Sequence, residues 1–307
     1  MALAALVAIP VLATPVGAQP GGPATAWVVA DADTGRLTES VNGQLVLPPA
    51  SLTKVLTALT VVRALGPSEI VPVSRRAAAM PASRVGMRAG ERWRLEDALH
   101  ALLLSSANDA AMALAERVSG SAEAFADAMA ATAARLGLRH APAFRDPAGL
   151  DGPKGLGGGN LVSAEDLAIV ARAALHEPRI APVVARPEYR FTAPDGKERR
   201  LVNHNRLLDS YPGAIGVKTG YTRRAGRCLV AAARRDGRTV LVVVLAAQDV
   251  YATAAALLDR GFAAPPASPA PAGHRPGGVL PTLGLLPPLP GLPPPAAPRL
   301  RPGRRRS

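Results

Sequence analysis

Toward its C-terminal end the chain reads Arg227-Cys-Leu-Val-Ala-Ala-Ala233, then Asp236-Gly237, then Val240-Leu-Val-Val-Val-Leu-Ala246. β-Branched and aliphatic residues fit a pleated, buried surface, and Asp-Gly is a frequent hairpin turn. The stretch therefore predicts two antiparallel strands joined by a tight turn. Residues 214–222, just ahead of it, have the composition of a further strand.

The other end of the folded chain also has a β pattern, with a strand predicted at residues 26–30 and a return strand near residue 37. Between these terminal strands, apolar residues recur at helical spacing. This spacing predicts helices at residues 51–65, 95–104, 110–118, 122–136 and 163–175. A last helix is expected at residues 252–258. The pattern predicts an α+β fold in which an antiparallel sheet of N- and C-terminal strands packs with helices, and a mostly helical lobe is inserted between them.

The composition limits the classes of protein that remain. The chain has 307 residues, of which 48% are apolar and 19% are charged, so it can form a sizeable core and is not globally disordered. Its net charge of +13 suits an anionic substrate or polymer surface. Cys228 is the single cysteine, which excludes an internal disulfide and a cysteine-based zinc site. The five histidines are scattered, so we expect neither a metal nor another cofactor.

Both ends of the chain differ from the part between them. Residues 1–18 are an apolar run that ends in small residues, which is typical of a signal peptide cleaved after Ala18. We therefore predict export to the extracytoplasmic side. Residues 263–307 contain 14 prolines, six arginines and no acidic residue, so we predict a disordered tail after a folded domain at residues 25–262. We expect the basic tail to contact an anionic wall or membrane surface, and we expect no nucleic-acid partner and no membrane-spanning helix.

Ser51 and Lys54 are the first candidate catalytic pair. They are three residues apart at the start of an apolar helix, so they lie on the same face, one turn apart. An ammonium group on such a helix is costly to bury unless it has a partner or loses its proton. A lysine with a lowered pKa beside a serine hydroxyl is what activation of a nucleophile requires. The alternative is an N-cap serine followed by a solvated lysine.

Two further motifs place polar residues within or between apolar segments. Lys218-Thr219-Gly220 places a cation, a hydroxyl and a residue without a side chain on a predicted strand, which together suit a carboxylate ligand. Ser106 and Asn108 interrupt the helical block and can present a hydroxyl and an amide to a cleft. Taken singly, the Lys218 motif is also explained by a lysine that protects an edge strand from pairing with another chain. The motif of Ser106 and Asn108 is also explained by the end of one helix and the cap of the next.

In this order and with these separations, the three motifs resemble the superfamily of penicillin-binding proteins and serine β-lactamases. The longer stretches are similar to low-molecular-mass D-alanyl-D-alanine carboxypeptidases. These stretches are Pro49-Ala-Ser51-Leu-Thr-Lys54-Val-Leu-Thr57, Ser106-Ala-Asn108-Asp-Ala110 and Gly216-Val-Lys218-Thr-Gly-Tyr-Thr222. The resemblance covers about residues 25–262.

The resemblance implies a role for each matching residue. Ser51 would attack the penultimate peptide carbonyl and form an acyl-enzyme, Lys54 would take its proton, and Ser106 would relay that proton. The sequence leaves open whether Lys54 or Lys218 is the base. Substrate binding would fall to a second set of residues: Asn108, Lys218, Thr219, Gly220 and Tyr221. The implied substrates are peptidoglycan stem peptides ending in D-Ala-D-Ala, and the implied covalent inhibitors are β-lactams.

The sequence departs from the family pattern at one place, where Asp146-Pro147-Ala148 precedes Gly149-Leu150 and the family often has Asn-Pro-His. Two alternative functions stay open. A class A β-lactamase would carry Ser-Asp-Asn instead of Ser-Ala-Asn and a Glu-x-x-Leu-Asn loop, which the stretch from Glu165 does not match. A non-catalytic wall-binding protein would keep the cleft without its chemistry.

Overall fold

A computed structural model describes residues 24–152, 159–265 and 280. The strands are β1 (Ala24–Asp31), β2 (Leu37–Val41), β3 (Ile70–Pro72), β4 (Arg92–Arg94), β5 (Glu188–Thr192), β6 (Glu198–Val202), β7 (Ala214–Thr222), β8 (Gly226–Arg235) and β9 (Arg238–Ala247). The helices are α1 (Thr53–Ala64), α2 (Arg75–Ala78), α3 (Leu95–Leu103), α4 (Asn108–Ser119), α5 (Ala122–Leu136), α6 (Ala164–Leu175), α7 (Ala181–Val184), α8 (Leu207–Ser210) and α9 (Val250–Ala263).

A five-stranded antiparallel sheet joins the two ends of the folded chain, in the order β2-β1-β9-β8-β7. The predicted hairpin is confirmed, with Arg235 opposite Arg238 around the Asp236-Gly237 turn. Strand β7 forms one edge of this sheet. The predicted α+β architecture is therefore confirmed, and the edge strand carries the Lys218-Thr219-Gly220 motif.

Both faces of the sheet are covered by helices. On the central strand β9, Leu241, Val243 and Leu245 belong to the large core shared with the helical lobe, whereas Val240, Val242 and Val244 belong to a smaller core under α9. Alternate residues of a strand point to opposite faces, so burial on both faces explains why this strand is apolar throughout.

The helical lobe is held by local capping and by a central buried helix. Helix α5 begins where the Ser121 hydroxyl accepts a hydrogen bond from the Ala124 N–H and ends at Gly137, whose φ is +77°. Ser163 caps α6 in the same way, by accepting from the Asp166 N–H at 3.0 Å. Helix α1 lies among the other helices, and all but its last two residues are buried. Burial on all sides agrees with its apolar sequence.

The structure differs from the sequence prediction in the connections. The short strands β3 to β6 and the helices α2, α7 and α8 were not predicted, because elements of three to five residues carry too little periodicity. Helix α4 begins at Asn108, so the break between helices covers residues 104–107 and Asn108 is helical.

The predicted signal peptide lies outside the described residues, and so does nearly all of the predicted tail. Within the tail range, Leu280 is buried and its N–H donates to the Gly35 carbonyl at 2.7 Å. In the part of the chain that the structure describes, no helix has the length and apolar character needed to cross a bilayer.

Candidate active site

Ser51 lies in a single 3-10 turn (Ala50–Leu52) that leads directly into α1. Ala50, just before it, has a φ of +49°, a left-handed conformation that residues with a side chain seldom adopt. Strained backbone of this kind is frequent at active sites, where surrounding packing enforces it. The turn holds the half-buried Ser51 side chain at the wall of a cavity.

Lys54 is the centre of the hydrogen-bond network around Ser51. Its side chain is completely buried, and its Nζ donates to the Ser51 Oγ at 3.0 Å. Nζ also contacts the Asn108 Oδ1 at 2.8 Å and the Ala148 carbonyl at 2.7 Å. These oxygens orient the amine toward the serine, so the structure brings together the residues of two separate motifs.

Burial changes the acidity of both lysines at the site. Desolvation lowers the pKa of Lys54 to about 7, although the negative charges of Asp146 and Asp109 oppose the shift. Desolvation also lowers the pKa of Lys218 well below its usual value, and the nearby Lys54 charge adds to this. An amine with a pKa near 7 can accept a proton at neutral pH.

A loop from residues 145 to 150 presents the Ala148 carbonyl to Lys54. The Asp146 carboxylate accepts from the N–H groups of Ala148 and Leu150, which closes the loop into a tight turn. The buried Asn160 amide donates to the Asp146 carbonyl and to the Thr53 hydroxyl, and so ties the loop to α1. The sequence departs from the family pattern at Asp146 and Ala148, and Ala148 contacts the lysine through its backbone carbonyl.

Gly149 is required at this loop by a close approach to the Ser51 turn. Its φ is +78°, and a Cβ atom there would lie 2.0 Å from the Ala50 carbonyl oxygen. Gly120 has nearly the same φ, +77°, but a Cβ atom added to it would meet no other atom within 4 Å. Replacing each of these two glycines by alanine therefore separates the cost of backbone strain from the cost of a steric collision.

We expect Gly149→Ala to lower the free energy of unfolding by about 3 kcal/mol or more, because both strain and backbone collision act there. Gly120→Ala should cost about 1 kcal/mol, because only strain acts. Urea unfolding of the two variants measures the difference. Equal midpoints would show that the loop does not press on the Ser51 turn.

Ser106 lies in the break between α3 and α4, and Asn108 is the first residue of α4. Ser106 has a φ of +56° and lines the same cavity as Ser51. The Asn108 amide is already engaged, since its Oδ1 accepts from Lys54 and its Nδ2 donates to the Pro81 carbonyl at 3.0 Å. Ser106 is therefore placed toward the cavity, while Asn108 mainly orients the lysine.

Asp109 anchors the loop that carries Ser83, one of the residues that line the cavity. Its fully buried carboxylate accepts from the N–H groups of Val85, Gly86 and Met87. The Asn108 N–H donates to the Ser83 carbonyl at 2.7 Å, which brings Ser83 beside the motif. A carboxylate that accepts several backbone N–H groups holds such a loop in one conformation.

The edge strand β7 lines the cavity beside the Ser51 turn. A Cβ atom on Gly220 would lie 3.1 Å from the Pro49 carbonyl and 3.2 Å from the Ser51 nitrogen, so the strand lies directly against the Ser51 turn. Thr219, Gly220 and Tyr221 line the cavity, and Tyr221 is 65% exposed. Lys218 is buried, and its Nζ donates to the Thr219 carbonyl at 3.1 Å.

The resulting cavity has a volume of about 300 Å³ and includes residues that the sequence analysis did not select. Its lining consists of Ser51, Ser83, Ser106, His204, Thr219, Gly220, Tyr221, Arg227, Cys228, Val250 and Tyr251. Desolvation, followed by the charges of Lys218 and Lys54, lowers the pKa of His204. Arg227 could have been found from hairpin register, because it lies directly opposite Tyr221 in the β7–β8 pair. Ser83 and Tyr251 carry no local signal, since they reach the cavity only through tertiary packing.

Among the residues described, no group of three or more His, Cys, Asp or Glu side chains is arranged to hold a metal ion.

Comparison with known proteins places these motifs in a family. The sequence profile of the D-alanyl-D-alanine carboxypeptidase family matches residues 16–249, which is most of the chain. The chain belongs to this family. It is therefore a serine-type peptidase, and the similarity extends well beyond the three motifs.

Relatives of this carboxypeptidase family support the same placement. The chain is 38% identical to a D-alanyl-D-alanine carboxypeptidase of Mycobacterium tuberculosis, over 80% of this chain and 85% of the relative. A crystal structure of a D-alanyl-D-alanine carboxypeptidase from M. tuberculosis H37Rv has a TM-score of 0.74 at 36% identity and covers 82% of this chain and 96% of that one. A penicillin-binding protein of Listeria monocytogenes in an ampicillin-bound form has a TM-score of 0.68 at 29% identity, over 80% of this chain and all of that chain.

Proposed function

We propose that this family member removes the terminal D-alanine from peptidoglycan stem peptides ending in D-Ala-D-Ala, through an acyl-enzyme on Ser51. The observation that carries the proposal is the 3.0 Å hydrogen bond between the Lys54 Nζ and the Ser51 Oγ. Ser51 lines a cavity large enough for the end of a peptide, and Lys54 is buried directly beneath it.

In the first step, the neutral Lys54 amine takes the proton of the Ser51 hydroxyl as the Oγ bonds to the penultimate carbonyl carbon. The lowered pKa of Lys54 leaves part of the amine unprotonated at neutral pH. The carbonyl oxygen becomes an oxyanion, for which we propose the backbone N–H groups of Ser51 and Tyr221 as donors. Both N–H groups belong to segments that meet where Gly220 lies against the Ser51 turn.

In the second step, the C–N bond breaks and the leaving D-alanine nitrogen receives the proton. Ser106 lines the same cavity as Ser51, so its hydroxyl suits the relay from Lys54 to that nitrogen. A water then attacks the acyl-enzyme carbonyl carbon while the Lys54 amine takes one of its protons. The bond to the Ser51 Oγ breaks, Lys54 passes that proton to Oγ, and the shortened peptide leaves as a carboxylic acid that loses the remaining proton to solvent. Lys218 tunes the charge near this path, because it is buried close enough for the Lys54 charge to lower its pKa.

Substrate binding is assigned to the two walls of the cavity. We propose that β7, with Thr219, Gly220 and Tyr221, aligns the end of the peptide along the sheet edge, since an edge strand offers unpaired backbone groups. The Asn108 amide contacts the substrate only through its second hydrogen, because its other polar sites hold Lys54 and Pro81. Its main effect is therefore on the orientation of the lysine.

We expect penicillins to acylate this protein at one residue. A β-lactam carbonyl can occupy the position of the peptide carbonyl, and the Listeria relative is known in an ampicillin-bound form. After exposure to a fluorescent penicillin, mass spectrometry should find a single adduct, on Ser51, that persists for minutes or longer. Rapid turnover without an adduct would favour a β-lactamase, and an adduct on another serine would overturn the assignment.

We also propose that the protein acts outside the cytoplasm, where stem peptides are exposed, and that the basic C-terminal tail contacts anionic wall or membrane polymers. Both ideas rest on residues 1–18 and 263–307, which lie almost wholly outside the described part of the chain. Fractionation of cells that produce the full chain, with and without residues 1–18, tests the export.

A further inference from the structure

The substrate of the proposed reaction ends in a carboxylate, so the cavity needs a group that recognises a negative charge. The terminal carboxylate carbon is three bonds from the attacked carbonyl carbon, a separation of about 4 Å. The receptor must therefore lie in the same cavity as Ser51.

The buried lysines are poor receptors for this charge. Lys218 is 1% exposed, its Nζ donates to the Thr219 carbonyl, and it is not among the residues that line the cavity. Lys54 is fully buried and is occupied by Ser51, Asn108 and Ala148. Burial also lowers the pKa of both lysines, which disfavours the charged form that would bind a carboxylate.

Arg227 is different, because a guanidinium keeps its charge at every physiological pH. In the described part of the chain it is the one Arg or Lys side chain among those that line the cavity. No carboxylate of the described residues pairs with it, and its Nη1 donates to the Gln248 carbonyl at 3.2 Å. The other N–H groups of its guanidinium make no hydrogen bond to a described residue and can donate to a ligand.

The local backbone fixes where this arginine lies. Arg227 pairs with Tyr221 across β7–β8 and with Ala247 across β8–β9. Between Arg227 and Leu229 the register shifts by one extra residue on β9, where Ala246 has a φ of +54°. A bulge of this kind re-aims nearby side chains and is frequent beside active sites.

We propose that Arg227 is the specificity-determining residue that binds the terminal carboxylate of the substrate, with the Thr219 hydroxyl beside it. A guanidinium can donate two parallel hydrogen bonds to the two oxygens of a carboxylate, whereas a buried amine cannot form this bidentate pair. The proposal rests on the proposed D-Ala-D-Ala activity. It explains how an enzyme with this cavity would select a free chain end over an internal peptide bond.

The test compares substrates with and without the terminal charge. We expect Arg227→Gln to lower kcat/KM about 10- to 100-fold for an acyl-D-Ala-D-Ala peptide, mainly by raising KM, because a charged hydrogen-bonded pair is lost. The ethyl ester of the same acyl-D-alanine has no terminal carboxylate and should be hydrolysed at the wild-type rate. Arg227→Lys should recover part of the loss, since it keeps the charge and loses the bidentate pair.

Arg223→Gln is the matched control, because Arg223 is an exposed arginine in the turn of the same hairpin and does not line the cavity. It should leave both substrates unaffected. The proposal is overturned if Arg227→Gln slows both substrates equally, slows neither, or has no more effect than Arg223→Gln.

Acylation by benzylpenicillin and by its methyl ester separates this proposal from the proposed function. Arg227→Gln should slow acylation by the free acid and leave acylation by the ester unchanged. A wild-type protein that is acylated but releases no D-alanine would overturn the carboxypeptidase activity, while the penicillin pair would still decide the role of Arg227.

Discussion

Replacement of Ser51 by alanine is expected to abolish both D-alanine release and penicillin labelling. Loss of a serine nucleophile removes the covalent step, and the residual rate should be lower by about 10⁴-fold or more. The Lys54 amine cannot replace the hydroxyl, because it is buried behind Ser51 and held by Asn108 and Ala148. Release of D-alanine from a peptide ending in D-Ala-D-Ala measures the effect.

The matched control is Ser210→Ala, an exposed serine on α8 that does not line the cavity. It should retain wild-type activity. If wild-type protein itself releases no D-alanine, the chain is a wall-binding member of its family and not a peptidase of this substrate. If Ser51→Ala keeps activity, the nucleophile has been assigned to the wrong serine.

The second large effect is expected at Lys54. Lys54→Met keeps most of the side-chain volume and removes the base, so the acylation rate should fall by about 10³-fold. Lys197→Met, a change at an exposed lysine, should have no effect. Stopped-flow measurement with a fluorescent penicillin gives the acylation rates of the wild type, Lys54→Met and Lys197→Met.

The pH profile of wild-type acylation distinguishes a base from a merely structural lysine. Because the neutral amine is the active form and the pKa of Lys54 is about 7, the rate should rise as pH increases through about 7 and level off above it. A structural role for Lys54 would leave the wild-type rate unchanged across this range. A midpoint near 10 would show that the amine is not desolvated in the free enzyme.

The lowered pKa of Lys54 also makes the free energy of unfolding depend on pH. Between about pH 7 and 10.5, the unfolded chain binds a proton at Lys54 that the native state does not bind. The contribution of this group to the free energy of unfolding therefore rises with pH across that window, and it is smallest below pH 7. Lys54→Met should flatten this rise, which urea unfolding at several pH values can measure.

Much of the site could be predicted from sequence because its motifs are local. Ser51 and Lys54 are one helical turn apart, so their spacing alone places them on one face of a helix. Lys218-Thr219-Gly220 lies within a single strand, so the sequence places the three residues next to one another. Asn108 shows where such reasoning stops. Its neighbourhood indicated a helix break, whereas the structure makes it the first residue of α4 and directs its amide to Lys54.

The residues that sequence reasoning missed reach the cavity from distant parts of the chain. Ser83 is brought there by backbone contacts around Asp109, and Arg227 by the register of the β7–β8 hairpin. No local pattern in residues 80–88 predicts that loop. The position of such residues depends on pairings between segments that are remote in sequence.

The order of strands and helices, the central buried helix and the chemical identity of the reacting groups follow from the amino-acid order, because periodicity, capping and turn preferences act over a few residues. The pKa of Lys54 and the joint placement of Ser51, Ser106 and Arg227 required the folded molecule. Desolvation is the combined effect of all surrounding atoms, and a cavity exists only where remote segments pack against one another.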